Sequence, residues 1–326
     1  MPWHSGFSSR PSHLYLLILF VSALVLRPVR LGAQDPDPRM VRVEESLSEA
    51  RQIRGEAPEV FTILERMAHY HVPGVSIAVL DQGRIAWAKG YGVVDVSTDI
   101  PVNPETLFQA ASISKPLAAM AALRLMDQGV LDLDTPVNNY LTSWKIPENG
   151  FTEKNPVTLR HLLTHTGGLT VHGFPGYARD AQVPTTVQVL NGTGPANTDP
   201  VRVDTLPGSI WRYSGGGYTV VQQLLVDVTG KSFPELMRQF ILDPAGMTLS
   251  SYAQPLPPER QGFAASAHLS DGSLGDGKWH TYPEMAAAGL WTNPTELARL
   301  ALDIQASQRG DPAHILSQNM TRNQLT

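Results

Sequence analysis

Apolar residues form two short runs in the first third of this 326-residue chain, at Val75 to Leu80 and at Arg84 to Gly90. Together the two runs contain Ile, Val and Trp, which suit a sheet, and Asp81-Gln82-Gly83 between them is typical of a turn. Two such runs joined by so short a connection predict a β-hairpin.

A helix is predicted on each side of this hairpin. Before it, apolar residues recur at helical spacing between Glu56 and Tyr70. After it, the segment from Leu117 to Met126 is alanine-rich and mostly apolar, which predicts a helix buried on nearly all sides.

The pattern changes from Leu131 to about Glu284, where short helical segments alternate with long loops. A further helix is predicted after this region, up to Ile304. Asn293 is its expected N-cap, followed by Pro294 at the first position and Glu296 three residues after the cap. The remaining tail is polar and contains no alternating apolar run that would predict a strand.

Composition narrows the function classes. The chain is 42% hydrophobic and 17% charged, which suits a globular protein with a sizeable core. It has 25 Lys and Arg against 30 Asp and Glu, so we expect no nucleic-acid partner. Because it has no cysteine, disulfides, thiolate metal sites and cysteine catalysis are excluded, and any nucleophile must be oxygen or nitrogen.

The first 33 residues resemble a secretory signal. A 13-residue apolar run from Leu14 to Leu26 follows Arg10 and is too short to span a bilayer comfortably. An uncleaved membrane anchor is the alternative, because Arg27 and Arg30 follow the run and Leu31 suits a cleavage site poorly. We therefore expect a periplasmic or secreted protein, or one attached to a membrane through this segment.

The sequence from Phe108 to Pro116 places two serines ahead of a lysine. On a helix, Ser112 and Lys115 share a face, whereas Ser114 points about 100° away. Pro116 is tolerated only in a first helical turn, so Ser112 should lie at the helix start, where free N–H groups favour a developing negative charge. Ser112 is thus the candidate nucleophile, with the surface edge of an ordinary helix as the alternative.

A buried lysine loses proton affinity, and a neutral Lys115 could then accept the proton of the Ser112 hydroxyl. A second signal is Tyr213, which lies in a glycine-rich turn ahead of a helix. A phenol beside a lysine can exchange a proton with it, although an aromatic residue that merely closes a loop is the alternative.

Together with the segment around Ser112, four further segments resemble the serine β-lactamase-related hydrolases of the class C type. That family includes class C β-lactamases, D-alanyl-D-alanine carboxypeptidases and related esterases. The resemblance runs in one order from about Pro58 to Ile304, and the other segments are LRHLLTHTGGL, WRYSGGGYT, LLVDVTGKSFPELMRQFILDPAGM and YPEMAAAGLWTNPTELARL.

The resemblance implies that Ser112 is acylated, that Lys115 is its hydrogen-bonded partner and that Tyr213 opens the Tyr-x-Asn motif of the family. It also implies a mixed α/β fold of the β-lactamase/transpeptidase type, with a central antiparallel sheet flanked by helices. The α/β domain would comprise residues 34–130 and 285–326, and a mainly helical lobe residues 131–284. No metal or organic cofactor is implied.

Two departures from the family concern substrate binding. Gly215 stands where the family has Asn, so this candidate substrate-binding position lacks a side-chain donor, which favours ester or amide hydrolysis over β-lactam hydrolysis. The third family motif, a Lys or His followed by a small residue and Gly, should follow Tyr213 on a strand. His165 to Gly167 fits its letters but precedes Tyr213, so we interpret it as structural and expect the remaining strands to follow residue 326.

Other chemistries fit the sequence less well. His161 and His165 have a zinc-compatible spacing, but no Glu lies between them and no third ligand is evident, so packing or capping is favoured. The glycine-rich segments lack the phosphate-binding pattern with its lysine. A nucleophile elbow at Ser214 would need glycine where Arg212 stands.

The sequence therefore predicts an exported serine hydrolase acting through an acyl-enzyme on an ester, peptide or β-lactam-like carbonyl of a small molecule or peptide. A catalytically silent relative that binds peptidoglycan-like peptides, or assembles with itself, is the alternative.

Export yields the first testable prediction. Expressed in a bacterium, the protein should leave the cytoplasm with a mature N-terminus near Gln34, as read by mass spectrometry of the isolated product. Loss of residues 1–33 removes three positive charges and changes the formal charge from −5 to −8. An intact Met1 on a soluble cytoplasmic product would refute export, and an intact Met1 on a membrane-bound product would favour the anchor.

Overall fold

A computed structural model describes residues 37–49, 51–311 and 315–325. The apolar segment interpreted as a signal or anchor lies outside these residues. Within them, helix length and hydropathy nowhere reach what a bilayer-spanning helix needs.

The described residues contain both helices and strands, which confirms the predicted mixed class. The strands are β1 (Leu47–Ser48), β2 (Val60–Phe61), β3 (Gly74–Asp81), β4 (Arg84–Gly92), β5 (Phe108–Gln109) and β6 (Trp291–Thr292). The helices are α1 (Pro38–Glu45), α2 (Ile63–His69), α3 (Ser114–Asp127), α4 (Leu159–Leu163), α5 (Thr186–Asn191), α6 (Gly215–Thr229), α7 (Phe233–Met237), α8 (Pro258–Gln261), α9 (Met285–Ala288), α10 (Pro294–Arg309) and α11 (Gln318–Leu325).

The predicted hairpin is confirmed as β3 and β4, which pair antiparallel from Gly74 opposite Gly92 to Asp81 opposite Arg84. One register shift falls between Val79 and Leu80. The hairpin packs against α10, so the apolar side chains of its strands have a partner surface. Among the described residues, β1 with β2 and β5 with β6 form two further antiparallel pairs.

The helix predicted from Glu56 begins only at Ile63, and this boundary was wrong. Thr62 is the N-cap in an extended conformation, and its hydroxyl accepts the backbone N–H of Glu65 at 3.1 Å. The Glu65 carboxylate accepts the Thr62 N–H at 2.7 Å in return. This reciprocal capping box fixes the start of α2 at Ile63. The residues before it, Val60–Phe61, form β2 and pair with β1.

The alanine-rich helix is confirmed as α3, and it lies at the centre of the core. Leu117, Ala118, Ala121 and Ala122 are buried, and the helix packs on α6, α9 and α11. Alanines on its faces let neighbouring helices approach closely. The residue positions at its N-terminus are thereby fixed by several packed elements.

The helix after Asn293 is confirmed as α10, with the Asn293 side chain accepting the Glu296 N–H at 2.9 Å. It continues past the predicted end to Arg309 and ends at Gly310, whose φ is +86°. The polar tail is helical at α11, where Met320 and Thr321 are buried against α10 and α3. Helix α11 was not predicted, because its buried face is narrow and the rest of the helix is polar, so the sequence shows little helical periodicity of apolar residues.

Between residues 131 and 284 the regular elements are the helices α4 to α8, a 3₁₀ turn at Val137–Asn139 and a π-helical turn at Arg238–Leu242, with long loops among them. This agrees with the helical character predicted for that region. The division into an α/β domain and a helical lobe stays a prediction.

The hairpin depends on a glycine that a loop approaches closely, and this yields a stability prediction. A Cβ on Gly90 would lie 2.1 Å from the Val102 backbone oxygen, whereas a Cβ on Gly150 meets no atom within 4 Å. Gly90→Ala should therefore lower the free energy of unfolding by about 1–3 kcal/mol in a urea titration. The control Gly150→Ala should stay within about 0.5 kcal/mol, and equal effects of the two would contradict this packing.

Candidate active site

The structure brings the candidate nucleophile and its lysine together at the N-terminus of α3. Ser112 lies in the 3₁₀ turn Ala111–Ile113, and Lys115 is in the first turn of α3. The Lys115 amine donates a hydrogen bond to Ser112 Oγ at 3.0 Å and another to the backbone oxygen of Ala287 at 2.8 Å. The i, i+3 spacing therefore places both groups on one side of the helix start.

The turn that presents Ser112 is strained. Ala111 has φ +44°, in the left-handed region that residues with a Cβ seldom occupy. Ser112 is exposed while Lys115 is only 5% exposed, so the hydroxyl faces the solvent and the amine lies beneath it. Such strain costs on the order of 1 kcal/mol and recurs at functional sites.

Burial lowers the pKa of Lys115 from the ordinary lysine range. The nearby Tyr213 acts in the opposite direction, since its phenol interacts favourably with the charged amine. Burial is the larger of the two effects. A larger fraction of Lys115 is thus neutral near pH 7, and free to accept a proton, than of a lysine in water.

Tyr213 directly precedes Ser214, the N-cap of α6, and its ring centroid lies 4.8 Å from the Lys115 amine. Two imidazoles contact the phenol ring. The His165 centroid lies 4.4 Å away and the His172 centroid 5.0 Å away. Tyr213 is therefore held between aromatic rings, beside the amine.

His165 is the site residue that sequence analysis missed. It follows the end of α4 with φ +60°, and its Nδ1 accepts the backbone N–H of Ser214 at 3.2 Å. Burial, helped by the Lys115 charge, lowers the pKa of His165 to about 4. The ring is then neutral near pH 7, and we assign its proton to Nε2, because Nδ1 acts as acceptor.

The interpretation of His165 as structural was incomplete, because its contact with Tyr213 joins residues far apart in sequence. No local signal reports such a contact. The pair His161 and His165 does not share a helical face, since α4 ends at Leu163. His161 instead caps α4, with its Nδ1 accepting the Thr158 N–H at 3.2 Å. In the part of the chain that the structure describes, no three His, Asp or Glu side chains cluster as metal ligands would.

Gly215, the candidate substrate-binding position, begins α6 and is buried behind Tyr213. Its N–H donates to the backbone oxygen of His172 at 2.9 Å. A Cβ here would lie 3.0 Å from that oxygen and from the Phe174 ring, so the loop 172–174 fills the space that a side chain would need. A role of Gly215 in substrate binding stays a prediction.

Ser114 stabilises the turn through its hydrogen bonds. It is fully buried, and its Oγ donates to the Ala111 oxygen at 2.6 Å and accepts the Leu290 N–H at 2.9 Å. The strained turn is thereby tied to the segment that follows α9. Ser112 is the serine that Lys115 reaches.

Comparison with known proteins agrees with this geometry. A family model described as Beta-lactamase matches residues 62–326, which is most of the chain. The chain belongs to the Beta-lactamase family, as its sequence motifs indicated. The described helices and strands fit the β-lactamase/transpeptidase-like fold of that family.

Curated relatives are distant. Protein flp of Staphylococcus aureus strain MRSA252 is 28% identical over 202 residues, which are 60% of this chain and 38% of that protein. Putative penicillin-binding protein PbpX of Bacillus subtilis strain 168 is 29% identical over 202 residues, 60% of this chain and 45% of that protein. The chain thus spans less than half the length of these relatives.

Solved structures give the same fold. The octameric penicillin-binding protein homologue from Pyrococcus abyssi is 28% identical with a TM-score of 0.64, covering 80% of this chain and 57% of that one. EstCE1, described as a hydrolase with promiscuous acyltransferase activity, is 21% identical with a TM-score of 0.63. The match covers 79% of this chain and 73% of EstCE1. At that identity EstCE1 supports the fold alone.

Helix α9, whose Ala287 oxygen accepts a hydrogen bond from Lys115, begins beside a buried glutamate. Glu284 directly precedes α9 and is 0% exposed, and neither carboxyl oxygen has a hydrogen-bond partner among the described residues. Burial raises the pKa of Glu284 to about 7. Tyr177 and Tyr282 lie close enough for this carboxylate to raise their own pKa values further. The acid is therefore held in its protonated form below neutral pH.

The Glu284 environment predicts a pH-dependent stability. The unfolded chain releases this proton near pH 4.5 and the folded protein near pH 7. Stability should therefore fall as pH rises through that window, by about 3 kcal/mol in total. The free energy of unfolding of Glu284→Gln and of wild type is measured by urea titration at pH 5 and at pH 8. The value for Glu284→Gln minus the value for wild type should be larger at pH 8 than at pH 5. A difference that is the same at both pH values would contradict this assignment.

Proposed function

We propose that this protein is a serine hydrolase that acts through a covalent acyl-enzyme on an ester or amide carbonyl. The observation that carries the proposal is the 3.0 Å hydrogen bond between the buried Lys115 amine and the exposed Ser112 hydroxyl. A nucleophile that faces solvent and a base that is desolvated beneath it meet the two requirements of nucleophilic catalysis.

In the acylation step the Ser112 proton passes to the neutral amine of Lys115 as Oγ bonds to the carbonyl carbon. The tetrahedral intermediate then expels the leaving group, whose oxygen or nitrogen takes back a proton from Lys115 by way of Tyr213. The products of this step are acyl-Ser112 and the free alcohol or amine. Water hydrolyses the acyl-enzyme by the same proton route in reverse order, releasing the acid and restoring the Ser112 hydroxyl.

The negative charge on the carbonyl oxygen needs hydrogen-bond donors. Ser112 lies just before α3, where backbone N–H groups lack intrahelical acceptors and the helix dipole is positive. The N–H of Ser112 is the donor we assign to the oxyanion. Each such donor typically contributes on the order of 10²-fold to the rate.

Esters are the favoured substrates. In the family an Asn side chain two residues after the tyrosine would meet a substrate amide, and here Gly215 and the Phe174 ring occupy that space. Without that side-chain donor, the site loses less binding energy for an ester than for an amide. We propose export or membrane attachment as the setting, on the basis of the apolar N-terminal segment.

Replacement of the two serines tests the nucleophile. Ser112→Ala should lower turnover of p-nitrophenyl acetate by several powers of ten, whereas Ser114→Ala should keep turnover within about tenfold of wild type. Ser112 is exposed, so its variant should unfold like wild type, while loss of the buried Ser114 contacts should cost about 1–3 kcal/mol. Both rates are normalised to folded protein from urea titrations.

Equal loss in the two variants, or full turnover in Ser112→Ala, would contradict the assignment. A wild-type protein that hydrolyses neither an ester nor an amide would favour the catalytically silent binding protein instead.

A further inference from the structure

An exposed tryptophan lies beside the candidate nucleophile. Trp211 is 69% exposed, whereas Trp144, Trp279 and Trp291 are each at most 7% exposed. It lines an open cleft of about 630 Å³ together with Ser112, His172, Arg212 and Tyr213. A large apolar ring exposed on the same open cleft as the candidate nucleophile can contact part of a bound substrate.

The indole contacts the imidazole ring of His165. Its centroid lies 6.2 Å from the His165 ring at an interplanar angle of 82°, an edge-to-face contact. The next residue, Arg212, donates its backbone N–H to the His165 oxygen at 2.8 Å. Since His165 also contacts Tyr213, one imidazole ring contacts both the indole and the phenol.

The charge in this wall of the cleft is already neutralised. The Arg212 guanidinium forms an ion pair with Asp204 and donates to the Gly168 oxygen at 2.8 Å. The Arg212 contact also lowers the pKa of Asp204, which keeps that carboxylate ionised. What remains for a ligand is a surface of aromatic rings, which suits an uncharged aromatic group.

The chemistry determines which part of a substrate meets this surface. The leaving oxygen receives its proton by way of Tyr213, so it must come within hydrogen-bond distance of the phenol. His172 contacts the same phenol ring, at 5.0 Å between centroids. A group attached to the leaving oxygen therefore begins beside the phenol, close to the imidazole rings of His165 and His172 that contact it.

We propose that Trp211, together with His172 and Tyr213, forms a leaving-group subsite for an aryl group, and that esters of aromatic alcohols are preferred substrates. This inference rests on the proposed serine hydrolase function. It assigns the selectivity to the alcohol and not to the acid.

Two acetate esters test the subsite. Benzyl acetate and 2-methoxyethyl acetate form the same acetyl-enzyme, and their alcohols are of similar acidity, so their kcat/KM values differ through recognition of the alcohol. In Trp211→Ala the benzyl over methoxyethyl ratio of kcat/KM should fall at least about tenfold. Trp211→Phe should restore most of the ratio. The control Ile210→Ala changes an adjacent residue that is 43% exposed and does not line the cleft, and should keep the ratio of wild type.

Two results would overturn the assignment. One is an unchanged ratio in Trp211→Ala. The other is a selective loss, in Trp211→Ala, of activity on 2-methoxyethyl phenylacetate relative to 2-methoxyethyl acetate. That result would mean that the acyl group, and not the alcohol, contacts Trp211.

A binding measurement separates the subsite from the chemistry. Saturation-transfer NMR with benzyl acetate should detect binding to Ser112→Ala and lose it in the Ser112→Ala, Trp211→Ala double variant. If binding depends on Trp211 but the wild-type protein hydrolyses no ester, the proposed function is contradicted and the aryl-binding site is supported. Binding to neither variant, or equal binding to both, would overturn the subsite.

Discussion

The burial of one lysine is the constraint on which the rest of the site depends. The Lys115 amine lies beneath Ser112, with Ser112 Oγ and the Ala287 oxygen as its hydrogen-bond acceptors. Burial takes this amine out of water and lowers its proton affinity. Three packed elements create this environment, since α3 carries the lysine and both α6 and α9 pack on α3.

The elements that bury the lysine also hold Ser112 and Tyr213 in place. The strained turn at Ala111 is tied through Ser114 to the Leu290 N–H, next to α9. On the other side, the left-handed His165 fixes Tyr213 by ring contact and by accepting the Ser214 N–H. Local strain at Ala111 and His165 is offset by these long-range contacts, which is how a folded protein maintains a reactive geometry.

Sequence reasoning recovered the features that local rules determine. The β3–β4 hairpin, the apolar α3 and the Asn293 cap follow from alternation, composition and capping chemistry. The pairing of Ser112 with Lys115 also follows, since i, i+3 geometry and the Pro116 constraint act within one turn. The start of α2 was misplaced, because a capping box at Thr62 overrode an apolar periodicity that continued upstream.

Other features depend on contacts between distant segments, which no single-sequence pattern reports. The His165 ring meets Tyr213 only because the end of α4 and the start of α6 are adjacent in space. The acid Glu284 is fully buried in the folded protein, and nothing in its local sequence marks it as different from a surface glutamate. Likewise, the exposure of Trp211 is a property of the assembled cleft.

The pH dependence of covalent labelling tests the central claim most directly. A fluorophosphonate probe should modify Ser112, as identified by peptide mapping. The labelling rate should rise with pH with an apparent pKa below the 10.5 of an ordinary lysine, and this rise should be lost in Lys115→Met. Labelling of a different residue, or the same pH profile with and without the Lys115 amine, would contradict a neutral lysine acting as the base for Ser112.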